Sequence, residues 1–229
     1  MGRCPPLLLV AITALILVGP LRAQTENDYG EDSKLNTNLA FAFSAPLNPT
    51  ARFTNFGWGT TVGAGYNFNR NNAFVGEFLW NRLTPTNEVM APVRAALNSP
   101  NVNGYANLYG LTANYRFELR GQKLGAYFIA GGGIYHRNVT LTQNVPNGTA
   151  TTCTPAWGWW GFTCSSGVVS QDVTLANAAS TAAGVNGGIG FTVKVGEPRY
   201  RMYIEARYHY VPNPRINTQI IPITVGIRF

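Results

Sequence analysis

Charge is what this chain has least of. Asp, Glu, Lys and Arg make up 12% of its 229 residues, about half the share of an ordinary soluble domain. With 12% of residues aromatic, that scarcity excludes a disordered chain or a coiled coil, both charge-rich and aromatic-poor. Lysine occurs three times. The remaining cations are arginines spread singly, so no basic patch would track a phosphate backbone, and nucleic acid is not expected as a partner. The chain has three cysteines and two histidines. Without His or acidic residues clustered beside the cysteines they are too few to build a metal centre, and no metal or other cofactor is expected. Mean hydropathy is −0.03, and no apolar run of helical membrane-spanning length follows residue 18.

The one apolar run, Leu7 to Val18, lies behind Arg3 and ends at Gly19-Pro20, with Ala23 before Gln24. Its 12 residues are too short to cross about 30 Å of hydrocarbon as a helix. They match a secretory signal peptide over 1–23. Removing it lowers the formal charge from +7 to +5, with 15 basic residues against 10 acidic. An acidic segment, 24–34, follows, with Glu26, Asp28, Glu31 and Asp32. Cys4 leaves with the leader and has no small-residue lipobox ahead of it. Cys153 and Cys164 remain, and a disulfide in an oxidising compartment is favoured over a metal site.

The rest of the chain alternates. Over Phe56–Phe68, one face carries Phe56, Trp58, Thr60, Val62, Ala64, Tyr66 and Phe68, and the other mostly glycine. At the end, Ile221, Ile223, Val225, Ile227 and Phe229 oppose Thr224, Gly226 and Arg228. A period of two over such lengths is a β-strand. Eight segments of this kind fall at about 35–44, 55–68, 72–83, 104–118, 122–137, 184–195, 200–211 and 218–229. Short turns near 69–71, 119–121 and 196–199 alternate with connections at 45–54, 84–103, 138–183 and 212–217. A helix broken by Pro92 is expected within 87–98. Pro222 cannot donate to a ladder, so a bulge or a weak seam between the first and last strands is expected there.

Aromatic residues sit at both ends of the apolar faces. Phe56 and Trp58 mark one end of their strand, Tyr66 and Phe68 the other. Tyr105 and Tyr109 oppose Tyr115 and Phe117 in the same way. Two such bands define a lipid-facing cylinder, which an exported soluble sandwich would not have. Open edges in lipid would leave backbone groups unpaired, so the sheet must close. The expected fold is all-β: a closed, eight-stranded, antiparallel, up-and-down transmembrane barrel over 35–229.

With Gly65-Tyr66-Asn67-Phe68 before a short turn, Glu205 to Tyr210 in one strand and a final Arg228-Phe229, the chain resembles the small outer-membrane barrels of the OmpA/OmpX-like superfamily. The resemblance implies short periplasmic turns, long extracellular loops and a monomer in a Gram-negative outer membrane. It also implies contact with lipid and lipopolysaccharide, and recognition of Phe229 by the barrel-assembly machinery. Members include adhesins, tethers, narrow channels and lipid A enzymes, so the fold alone fixes no activity. No peptidoglycan-binding domain is expected after the barrel.

The strand registers place Glu77, Asn81, Asn114, Arg116, Lys194, Glu205, Arg207, His209 and Arg228 inside. Buried charges must pair. The expected network is a structural plug in which Arg116, Arg207 or Lys194 neutralises Glu77 and Glu205. A gated pore for ions or small solutes is the alternative. A lipid A-modifying enzyme is a remote one, because the family pattern places Ser two residues after the strand histidine, and here Val211 follows His209. No catalytic residues are expected. Between Cys153 and Cys164 lie Trp157, Trp159, Trp160 and Phe162. A closed ring presents such aromatics at reduced entropy cost to an extracellular glycan or protein, or they pack over the barrel mouth. The reading favoured is a non-enzymatic surface barrel acting through its loops.

Overall fold

The computed structural model describes residues 34–121, 123–155, 161–196, 200–214 and 216–229. The expected signal peptide, and the acidic segment apart from Lys34, lie outside the described residues. So do Trp157, Trp159 and Trp160, together with the side chain of Phe162.

Eight strands form one closed barrel, each paired antiparallel to its neighbours in chain order. They are β1 (Leu35–Pro46), β2 (Thr54–Asn67), β3 (Asn72–Pro85), β4 (Val102–Arg120), β5 (Leu124–Pro155), β6 (Phe162–Lys194), β7 (Arg201–Val211) and β8 (Thr218–Arg228). A short helix, α1 (Asn87–Ala96), occupies the β3–β4 connection and carries Pro92 within it. A single 3-10 turn, Thr50–Arg52, occupies the β1–β2 connection.

The registers fix the diameter. From Asn36, cross-strand partners run through Gly65, Val75, Asn114, Gly131, Asn186, His209 and Ile220 back to β1 at Pro46. The return point is displaced ten residues along β1, from 36 to 46. Eight strands with that stagger tilt about 40° and enclose a backbone radius of about 8 Å. Side chains fill such a space.

Side chains divide by parity. In β3, Ala73, Val75, Glu77, Leu79, Asn81 and Leu83 are buried inside, while Phe74 and Phe78 are exposed outside. Phe41 stacks on Trp58 and Trp58 meets Trp80 edge-on at the loop end. Tyr66 against Phe68 and Tyr200 against Phe229 lie at the turn end. Outside water, the exposed apolar belt between these bands has one stable environment, the hydrocarbon of a bilayer.

Two expectations are corrected. Within the expected loop 138–183, residues 138–155 and 162–183 are strand. β5 and β6 continue as a paired ribbon, from Asn138 opposite Ala179 to Pro155 opposite Phe162, with register shifts between Leu141 and Thr142 and between Pro146 and Thr149. At about 3.3 Å per residue the ribbon is roughly 60 Å long. Most of it is exposed on both faces, so Thr, Ser, Asn and Ala occupy both parities and the period-two signal vanishes. At Pro222 no bulge forms. β1 pairs with β8 continuously through Ser44 opposite Pro222. The β7–β8 ladder is interrupted at Arg207 and Tyr208 and resumes in the same register at His209. The missing N–H therefore tells on the β7 side, not at the seam with β1.

Candidate functional site: the lumen and the projecting hairpin

The lumen holds two charged layers. In the first, Arg207 on β7 sits between two carboxylates. It forms an ion pair with Glu77 on β3 and another with Glu205, Nη2 to Oε1 at 2.6 Å. Its Nε also donates to Glu205 Oε1 at 2.7 Å. The other lone pairs are used: Asn38 and Asn114 donate to Glu77 at 2.8 Å each, and the Tyr127 hydroxyl donates to Glu205 Oε2 at 2.8 Å. The free space around Glu77, Glu205, Arg207 and His209 is about 10 Å³, the room of about one water.

The second layer lies toward the short turns. Glu118 on β4 accepts from Arg228 Nη1 at 3.1 Å, and Arg120 and Arg116 lie 3.3 and 3.7 Å from the same oxygen. Thr192 donates to the other carboxylate oxygen at 3.0 Å. The Arg228 guanidinium also lies 5.0 Å from the Tyr127 ring centroid and 5.1 Å from that of Tyr203, within cation–π range. Tyr127 thus touches both layers.

Toward the loop end the interior becomes apolar. Leu79, Leu83, Leu108, Val211 and Ile220 pack around Tyr135. The Tyr135 hydroxyl is 2.8 Å from His209 Nδ1, and the Ser44 hydroxyl donates to Asn81 at 2.6 Å.

The structure therefore brings together Glu77, Glu205, Arg207 and His209 but separates Arg116 and Lys194 from them. Arg116 faces Glu118 in the second layer rather than Glu77 or Glu205. Lys194 is half-buried at the turn end of β6, opposite Arg201. His209 is buried against Tyr135. Sequence reading missed Glu118 and Tyr127. Glu118 shares the parity of Asn114 and Arg116, but stands where the strand was expected to stop. Tyr127 was obscured because the adjacent Gly131-Gly132-Gly133 blurs the parity of β5.

Outside the barrel, Cys153 and Cys164 are cross-strand partners at the end of the β5–β6 ribbon and are joined by a disulfide. They close a ring of 12 residues containing Trp157, Trp159 and Trp160. Among the described residues no group of His, Cys, Asp and Glu could hold a metal ion.

A family model, the outer membrane protein beta-barrel domain, matches residues 11–229. The chain belongs to this family. As an outer-membrane barrel it is similar in fold to Neisserial surface protein A, at 15% identity over 86% of this chain and 96% of that one, with a TM-score of 0.52. Ail, the attachment invasion locus protein of Yersinia pestis, aligns at 16% identity over 85% and 97%, with a TM-score of 0.49. OprG from Pseudomonas aeruginosa aligns at 10% over 88% and 99%, with a TM-score of 0.38. Comparison with curated proteins finds no match. The protein resides in the bacterial outer membrane. Its short turns face the periplasm and its long connections the exterior, as in other barrels of this plan.

Proposed function

We propose that this barrel is a non-enzymatic surface protein whose β5–β6 hairpin carries, in the sequence between Cys153 and Cys164, the aromatic residues that bind an extracellular glycan or protein. The observation that carries this reading is the Cys153–Cys164 disulfide at the end of a two-stranded ribbon beyond the barrel. An isolated hairpin is marginal in water, and a covalent staple at its end counters fraying. Trp157, Trp159, Trp160 and Phe162 lie inside the staple in sequence. Aromatic rings there offer stacking surface to sugars or anchoring surface to proteins.

The lumen supports the same reading. Its ion pairs satisfy one another and the free space beside Glu77 and Arg207 is about 10 Å³, which supports a structural plug over a gate for Glu77, Glu205 and Arg207. His209 has a tyrosine for its neighbour and Val211 two residues on, so no nucleophile is assembled there. The leader over 1–23 directs export, Phe229 is read by the assembly machinery, and the barrel works as a monomer surrounded by lipid and lipopolysaccharide.

The test is adherence. Cells displaying the wild type or the Trp159→Ala, Trp160→Ala double variant are incubated on a glycan array and on immobilised extracellular-matrix proteins. The double variant is expected to lose binding while keeping the heat-dependent gel shift of a folded barrel. Equal binding by both, or none by the wild type on any surface, counts against the proposal.

A further inference from the structure

At the exterior end of the barrel, above Leu83 and Leu108, a cavity of about 290 Å³ lies beneath α1 and is walled by the first residues of β4 and the middle of β5. Val89, Met90 and Val93 of α1 line it from above, and Val139 and Ile216 from the sides. Met90 is buried. The size is near the lower end of ordinary small-ligand sites, and the lining is almost wholly hydrocarbon.

Arg137 breaks that lining. It lines the cavity, is half-buried, and its guanidinium donates to neutral acceptors, Thr218 Oγ1 at 3.1 Å and the Ile216 carbonyl at 3.4 Å. Among the described residues no carboxylate forms an ion pair with it. This contrasts with Arg207 and Arg228 below, each bonded to a carboxylate. A cation set beside an apolar hollow, with its neighbours supplying only neutral oxygens, retains most of its capacity to bind an anion.

We infer that this cavity is a binding site for a single-chain amphiphilic carboxylate, a free fatty acid of medium length entering from the exterior, with its chain against Leu83, Leu108 and Met90 and its carboxylate on Arg137. The site shares no residue with the Cys153–Cys164 ring and does not depend on the adhesive reading. Occupancy combines burial of acyl surface with a charge-assisted hydrogen bond, so the acid is favoured over the corresponding alcohol.

Two methionines follow the leader, Met90 in the cavity wall and Met202 on the exposed outer face of β7, which makes the protein its own reporter. The barrel, labelled with 13C-methyl methionine, is placed in phosphatidylcholine nanodiscs and titrated with decanoate and with decanol. Decanoate is expected to shift the Met90 methyl resonance saturably, while Met202 drifts only with partition into the bilayer. Decanol is expected to need at least tenfold more for half-saturation, and Arg137→Gln to remove that advantage. A Met90 signal that stays still means the cavity is closed or already holds a bilayer acyl chain, and it overturns the assignment. So does a signal that drifts unsaturated with Met202, or one that responds equally to decanol and decanoate in the wild type.

Discussion

Tyr127 stands directly across the β5–β6 ladder from Gly190, and a Cβ at position 190 would lie 2.5 Å from Tyr127 Cε1. The same pairing recurs twice: Tyr203 faces Gly226 across β7 and β8, and Tyr135 faces Gly110 across β4 and β5. Each inward glycine makes room for a ring that lies over it, which fills the lumen while leaving the ladder intact. Gly190→Ala therefore displaces Tyr127 and weakens its hydrogen bond to Glu205. It is expected to cost about 1–3 kcal/mol, as overpacking does. The midpoint of urea-induced unfolding of the detergent-folded barrel reads this, and an unchanged midpoint would show that the ring is not confined.

Arg207 neutralises two carboxylates that face each other across the lumen. Arg207→Ala leaves Glu77 and Glu205 buried without their cation, at an expected cost of about 3–5 kcal/mol. Adding Glu77→Gln and Glu205→Gln to that variant removes the unpaired charges and is expected to restore much of the lost stability. If the triple variant unfolds as readily as Arg207→Ala alone, the ion pairs are not the source of the effect.

The disulfide holds the ribbon and not the barrel. Cys153→Ser with Cys164→Ser releases a 12-residue ring, worth about 3 kcal/mol of local order on the loop-entropy model. Amide hydrogen exchange within 138–183 is expected to accelerate by at least tenfold, with the barrel strands and the heat-dependent gel shift unchanged. Slowed or unaltered exchange in the ribbon would show that its backbone pairing is sufficient alone.

The barrel was legible because lipid and a narrow lumen impose opposite demands on alternate residues. Phe74 and Phe78 could only face outward, and Glu77 and Asn81 only inward. The same rule hid the ribbon: Thr140 to Pro155 has water beside most of its length, so neither parity carries a preference. Which arginine meets which carboxylate was not legible either. Parity places Arg116 and Arg207 inside, but the ten-residue stagger decides that Arg207 reaches the level of Glu77 while Arg116 falls toward Glu118. The cavity by Arg137 depends on where α1 lies across the rim, which strand periodicity does not encode.

A barrel whose interior is a structural plug, as proposed, acts only outside the membrane. Single-channel recording of the folded chain from Gln24 onward, in a planar bilayer, tests it most directly. The account predicts a stable, silent barrel over the physiological voltage range. Reproducible discrete openings, altered in size by Glu77→Ala or Arg207→Ala, would contradict it.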